Sequence, residues 1–358
     1  MAFRILSIDG GGLRGIIPVL ILKHLEEITG QKRIIDAFDM VAGTSTGGLI
    51  ASALTVTAKG TSEPRYGLTE IEDMYTGRGA EIFPAGNKLS RWWDRQTISN
   101  LFSPRFKRKG LDRVLQDLMI DRPGYDPRLL DCCRPLLIAS YDLATEYPLI
   151  FNSRSAYESP EKNARLIDIC RATSAAPTYL PPFTFDHRHE NPDTATSVDK
   201  VTALDGGVFM NNPSMAALIE LVKNHAHPYY NRPDLKADEV FLLSLGTGHR
   251  MNDISDKADG WGKLKWIEPS IELLMWGGSQ AVDYQVKEGL TFTLKGETTR
   301  VNYLRLNVRI ADERYADMAL SVPAAFAHWK ERFRADYLED AMVQDRVAAF
   351  VRAAGMLA

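Results

Sequence analysis

The chain has 358 residues, 45% hydrophobic and 25% charged, with a formal net charge of −3 and a pI near 6.2. This balance excludes a dedicated nucleic-acid binder. The length allows one large domain or two ordinary ones, and the longest strongly apolar run, residues 16–22, falls far short of the ~20 residues of a membrane span.

In chain order, Phe3-Arg4-Ile5-Leu6-Ser7-Ile8 is bulky and alternating enough for a buried first strand. Asp9-Gly10-Gly11-Gly12-Leu13-Arg14-Gly15 follows, and its glycines reach backbone angles that cost other residues energy. The N–H groups of Gly10, Gly11 and Gly12, with Arg14 nearby, can then point at one oxygen, backed by a helix predicted over residues 13–28. Pro18 suits that helix's first turn, and Gly30 its end. The same glycines satisfy Gly-x-Gly-x-x-Gly after a strand, with Asp36 or Asp39 near the acidic position, so a dinucleotide site is the competing reading of this segment alone. No Lys-Ser or Lys-Thr follows them, which disfavours a Walker loop.

A short strand over 38–42 leads into Gly43-Thr44-Ser45-Thr46-Gly47-Gly48 and a helix-like run over 49–54. Strand, sharp turn and helix are the context an exposed nucleophilic serine requires, and the small residues Gly43 and Gly47 let the turn close. The plain alternative is a turn whose Thr44, Ser45 or Thr46 caps an ordinary helix. Beyond it the pattern predicts a polar loop over 57–67, helices over 69–78 and 110–119, and strands over 134–140 and 147–152. A helix over 163–174, a polar mobile loop over 187–199 and strands near 201–204 and 240–245 follow. The alternation predicts an α/β protein with a mostly parallel sheet flanked by helices. Asp205-Gly206-Gly207 puts an acid at the end of the 201–204 strand, with Gly206 and Gly207 permitting close approach of another segment; alone it is a commonplace turn.

Together and in this order, the three segments resemble the patatin-like phospholipase family, which couples Asp-Gly-Gly-Gly-x-Arg/Lys-Gly with Gly-x-Ser-x-Gly and Asp-Gly-Gly or Asp-Gly-Ala. The resemblance extends to the segments at 101–104, 171–182, 211–213 and 243–248, and covers residues 3–310. It implies a three-layer α/β/α catalytic domain over 1–310 with a helical C-terminal extension over 311–358. It also implies a catalytic pair of Ser45 and Asp205 without a histidine, ester lipids such as phospholipids, lysophospholipids or galactolipids as substrates, and neither metal nor cofactor. Some bacterial members are anti-phage effectors switched on by a cyclic dinucleotide, so a small-molecule activator is a further expectation.

On this reading Asp205 accepts the proton of Ser45, an acyl-serine forms, and water releases the fatty acid. A carboxylate near its ordinary pKa of about 3.9 is a weak base for a hydroxyl, so an oxyanion hole of Gly10, Gly11 and Gly12 carries much of the barrier reduction. The competing arrangement is an α/β-hydrolase triad in the order Ser45, Asp205, and His249 or His328.

Cys132, Cys133 and Cys170, an odd count with two adjacent, fit reduced thiols and give no zinc spacing. With no basic leader before Asp9, a cytoplasmic enzyme that touches membranes peripherally is expected. Residues 88–109 carry Lys88, Arg91, Arg95, Arg105, Lys107, Arg108 and Lys109 against Asp94, interleaved with Trp92, Trp93, Phe102 and Phe106. This is either a surface for anionic headgroups or a solvated basic loop. The stripe Trp261, Trp266, Leu273, Leu274, Met275 and Trp276 is read as core in preference to a lid. Apolar residues at helical spacing over 324–356 predict helices that dock on the domain or pair with another subunit.

Overall fold

Eight strands form one mixed sheet: β1 (Phe3–Ile8), β2 (Met40–Thr44), β3 (Leu136–Asp142), β4 (Tyr147–Asn152), β5 (Phe183–Asn191), β6 (Thr196–Asp205), β7 (Val240–Leu245) and β8 (Asn302–Leu306). The computed structural model describes residues 2–84, 104–120, 124–250, 258, 260–289, 291–294, 297–300 and 302–358, so residues 88–103 of the basic segment lie outside it. The order is β8-β7-β1-β2-β3-β6-β5, with β4 on the other edge of β3. Strands β8, β7, β1, β2 and β3 run parallel. β4, β5 and β6 are antiparallel to their neighbours.

Side chains alternate across a strand, and β1 shows what that does here. Leu6 and Ile8 join the larger core, with α1 (Ile16–Thr29), α2 (Thr46–Thr55), α3 (Leu68–Ile82), α4 (Lys109–Met119) and α5 (Leu166–Thr173). Phe3 and Ile5 face the other way, toward Ala217, Leu218 and Leu221 of α6 (Ser214–Asn224). The result is a three-layer arrangement, in which central parallel strands are buried on both faces. Pro18 sits in the first turn of α1, and Gly30 ends the helix at φ 69°, its N–H donating to Glu26 O at 3.1 Å.

Two expectations change. Residues 187–199 are not a polar loop but most of the β5–β6 hairpin. Their polar alternation hid a strand whose inward positions Phe183, Phe185 and His187 stack as a ladder on one face. The strand ending at Asp205 runs antiparallel to β3, in a sheet that is otherwise mostly parallel, as expected. The 261–276 stripe is not mainly core. From Trp266 on it lies in α7 (Lys263–Tyr284), where Met275 is buried while Leu273 and Leu274 are 48% and 62% exposed. Among the described residues no helix is long and apolar enough to cross a membrane.

The C-terminal residues dock on the domain. Trp329 of α8 (Pro323–Phe333) is fully buried against the α1 side of the core, and its indole N–H donates to Tyr315 O at 3.0 Å. Val347 and Val351 of α9 (Ala341–Ala353) join the same core, and Arg4 Nε donates to Ala354 O at 2.6 Å. Trp329→Ala is expected to lower stability by about 3–5 kcal/mol. The check is a urea titration followed by far-UV circular dichroism, in which the main transition of the domain moves to lower denaturant.

Candidate functional site

β2 ends at Thr44 and α2 begins at Thr46, so Ser45 alone makes the corner. Its φ of 54° and ψ of −125° fall outside the regions open to ordinary L-residues, and such strain persists only where the surroundings over-determine it. The Ser45 N–H donates to Thr173 Oγ1 at 2.8 Å, and the Thr173 hydroxyl donates in turn to Ala139 O at 2.6 Å. The Thr44 hydroxyl donates to Met210 O at 2.7 Å. A Cβ at Gly43 would stand 2.3 Å from Gly47 O, and one at Gly47 2.1 Å from Ile8 O, so the flanking glycines serve close backbone approach.

β6 reaches the same spot from the opposite direction. Residues 136–139 of β3 pair with β2, and the next residues, 140–142, pair with β6. Thr44 lies opposite Ala139 and Asp205 opposite Ser140, so the two strand ends meet head to head beside one edge. Asp205 is buried; its Oδ1 accepts from the Gly207 N–H at 2.7 Å, and its Oδ2 accepts no hydrogen bond of normal geometry. Burial pushes its carboxyl up to about 7, against the pull of the neighbouring Ser45 hydroxyl and the Gly207 N–H. The weak base near 3.9 that the sequence suggested is therefore a carboxyl poised near neutrality.

The glycine loop divides its amides between two jobs. The Gly10 N–H donates to Asn211 O at 3.1 Å and the Leu13 N–H to Met318 O at 2.8 Å. The N–H groups of Gly11 and Gly12 have no intramolecular partner among the described residues, and Gly12 borders the same cleft as Ser45. Gly10 thus fastens the loop, while Gly11 and Gly12 keep donors to offer. Arg14 turns to the C-terminal extension, its Nη1 donating to Ala316 O at 2.9 Å. Asp9 anchors the loop from below. Arg305 donates to its two carboxylate oxygens at 3.1 and 2.6 Å, and to Ser244 Oγ at 2.7 Å. Burial pushes the Asp9 carboxyl up while Arg305 pulls it down; Asp9 in turn holds Arg305 above its ordinary range, and the bidentate geometry favours the ionised pair.

An apolar cleft opens beside Ser45, walled by Leu13, Leu49, Met74, Leu111, Tyr179 and Met318. Its cavity volume is about 50 Å3. Neither histidine partners the pair: His249 stacks on Trp276 at 5.1 Å and lines a separate polar cleft, and His328 stacks on Tyr315 at 4.7 Å. The dinucleotide reading also fails locally. Asp39 accepts from the Arg4 N–H at 2.8 Å and pairs with Arg232, at the end of β1 remote from the glycines, and Asp36 faces Arg134. Sequence reasoning missed the parts played by Thr173, Asn211, Thr247 and Arg305. Thr173, Asn211 and Thr247 stand in segments that carried the resemblance, where a role was there to be sought; Arg305 had no signal.

The site is that of an α/β protein with a serine on a strand-to-helix corner beside a buried carboxylate. The chain belongs to the patatin-like phospholipase family, whose model, described as Patatin-like phospholipase, matches residues 6–218. It is 32% identical over 321 residues to patatin-like protein 3 of Arabidopsis thaliana, covering 85% of this chain and 73% of that protein. It is 34% identical over 298 residues to patatin-like protein 1 of Oryza sativa subsp. indica, covering 78% and 68%. It also resembles a protein named probable inactive patatin-3-Kuras 1, of Solanum tuberosum, at 30% over 315 residues, covering 84% and 77%. The family supports lipid acyl hydrolysis as the broad activity.

Thr173→Val keeps the shape of the side chain but strips the Ser45 N–H of its acceptor. The expected cost is about 1–3 kcal/mol of stability, and kcat falls with KM little changed, because the serine corner is what loosens. Denaturant titration and steady-state kinetics on the same preparation check both.

Proposed function

We propose that the chain is an active lipid acyl hydrolase of phospholipase A or lysophospholipase type, working through a Ser45–Asp205 dyad. The observation that carries this reading is the head-to-head meeting of β2 and β6, which sets a strained serine beside a buried carboxyl with one unpartnered oxygen. Ser45 Oγ attacks the ester carbonyl carbon as Asp205 takes the hydroxyl proton. The carbonyl oxygen becomes an oxyanion held by the Gly11 and Gly12 amides, and each such donor is worth roughly 3–4 kcal/mol when lost. The tetrahedral adduct collapses, the alcohol departs with the proton from Asp205, and acyl-serine remains. Water then gives its proton to Asp205 and its oxygen to the acyl carbon, releasing the fatty acid and restoring Ser45.

A base with a pKa near the working pH combines correct protonation with driving force, which is what burial gives Asp205. The apolar cleft supports a hydrocarbon substituent on the substrate. A Ser-Asp-His triad has less support, since both candidate histidines are stacked on other rings.

The test is hydrolysis of a fluorogenic phospholipid and a p-nitrophenyl ester. Ser45→Ala is expected to remove at least ~10³-fold of kcat, and Asp205→Asn at least ~10²-fold. Because the base must be ionised, kcat/KM of the wild type rises with pH through about 7 and levels off above it, and Asp205→Asn abolishes that limb. A profile flat from pH 5 to 9, or full activity in Asp205→Asn, contradicts the dyad.

His249→Ala and His328→Ala separate the dyad from the triad. Both are expected to keep turnover within about threefold of wild type, since neither ring meets Ser45 or Asp205. A loss as deep as that of Asp205→Asn, in a variant with unchanged circular dichroism, would restore the triad.

A further inference from the structure

One face of α7 is spent on the site and the other is not. Ile271, Met275 and Ser279 recur every four residues, as one face of a helix does. Ile271 and Met275 pack with Ala176, Tyr179 and Met318, and Ser279 receives the Asn211 side-chain amide at 2.9 Å. A Cβ on Gly207 would come within 2.7 Å of Met275 Cε, so the helix leans on the loop that holds Asp205. The outward face carries Leu273, Leu274, Gly277 and Ala281, all exposed. Residues 273–282 contain no charged side chain, where a solvated helix face normally carries several.

The cluster under this helix also holds Phe106, which places the described end of the basic segment at the same spot. Arg105 is fastened to Asp317 at 2.9 Å and Arg108 to the carbonyl of Pro181 at 3.2 Å, while Lys107 and Lys109 between and beyond them are exposed. Lys265 is exposed near the start of α7, and Glu272 is the acidic group nearest the leucines in the described sequence. Ala176, Tyr179 and Met318 belong both to this cluster and to the wall of the cleft beside Ser45. Phe106, next to Lys107, and Met275, next to Leu274, thus meet in one cluster that borders the cleft beside Ser45.

We propose that Leu273 and Leu274 of α7, with the exposed Lys107 and Lys109 that flank the Phe106 end of the same cluster in sequence, dock on the surface of an anionic lipid bilayer and so present substrate to Ser45. The inference rests on the reading of the chain as a lipid acyl hydrolase. Exposed leucines enter the acyl boundary of a bilayer, and lysines at that depth are drawn to anionic headgroups. A second copy of the chain is the poorer occupant: exposed lysines match an anionic surface better than they match the same lysines on another copy.

The test uses Ser45→Ala as the parent, so that vesicles stay intact, and co-sedimentation with phosphatidylcholine vesicles with or without phosphatidylglycerol. Leu273→Gln with Leu274→Gln is expected to weaken binding to mixed vesicles about tenfold or more. Lys107→Glu with Lys109→Glu is expected to weaken it on mixed vesicles but not on pure phosphatidylcholine. With Ser45 intact, both double variants hydrolyse a soluble short-chain p-nitrophenyl ester like wild type, which shows that the fold and the dyad survive. Unchanged vesicle binding in the leucine variant overturns the proposal, as does light scattering that shows a dimer which this variant converts to monomer. Weakened binding in the variants together with a wild type inert on the soluble ester would support the docking face while removing the catalytic reading.

Discussion

Two strands share one edge of β3, and the site depends on that sharing. β2 occupies the edge as far as Ala139 and β6 takes over at Ser140, so the ladder passes from one strand to the other where both turn away. The Ala139 carbonyl is the pivot. It accepts the Thr173 hydroxyl that holds the Ser45 N–H, and it is the atom that a Cβ on Gly206 would strike at 2.4 Å. Serine and carboxylate are thus referenced to the same backbone atom from opposite sides. A one-residue slip of either strand would turn its side chains to the other face, and the register is guarded by buried residues on both faces of β1, β2 and β7.

Beneath the glycine loop lies a polar floor that is unusual in the middle of a sheet. The Ser214 hydroxyl meets Ser7 and Ser244 at 2.9 and 3.0 Å, and Ser244 meets Arg305, which grips Asp9. A buried ion pair is weak evidence for net stability, since desolvation offsets much of the attraction. Its service here is positional. With Thr247 donating to Gly10 O at 2.6 Å and Asn211 accepting the Gly10 N–H, the loop is held at both ends of its first glycine, and the next two amides are left aimed by their neighbours. Residues from 211 to 318 therefore fix a loop that begins at position 9.

What could be read in the sequence was whatever depends on local geometry. Close approach of two backbones admits only glycine, so Gly43, Gly47 and Gly206 announced themselves wherever the chain went afterwards. A left-handed helix end did the same for Gly30. What could not be read was tertiary. Nothing in the residues near Asp205 tells which way its strand runs, and the polar alternation of residues 186–190 masks a strand whose support comes from Phe151 across the sheet. The exposed leucines of α7 looked like core because an apolar helical stripe does not say which side the protein is on. The elevation of Asp205 is a property of the residues that bury it, and Arg305 is one of 43 basic residues with no local mark.

The poised carboxyl at 205 has a thermodynamic consequence for the whole molecule. Its folded pKa, about 7, lies above the 3.8 of an unfolded chain, so the native state takes up a proton between those values that the unfolded state has released. The contribution of this group to folding is fully present below pH 3.8 and is lost as the pH rises through 7, a change of up to about 4 kcal/mol. The ionised form that the proposed dyad requires is the form this group's burial disfavours. The pH range that ionises Asp205 is the range in which this residue no longer favours the folded state.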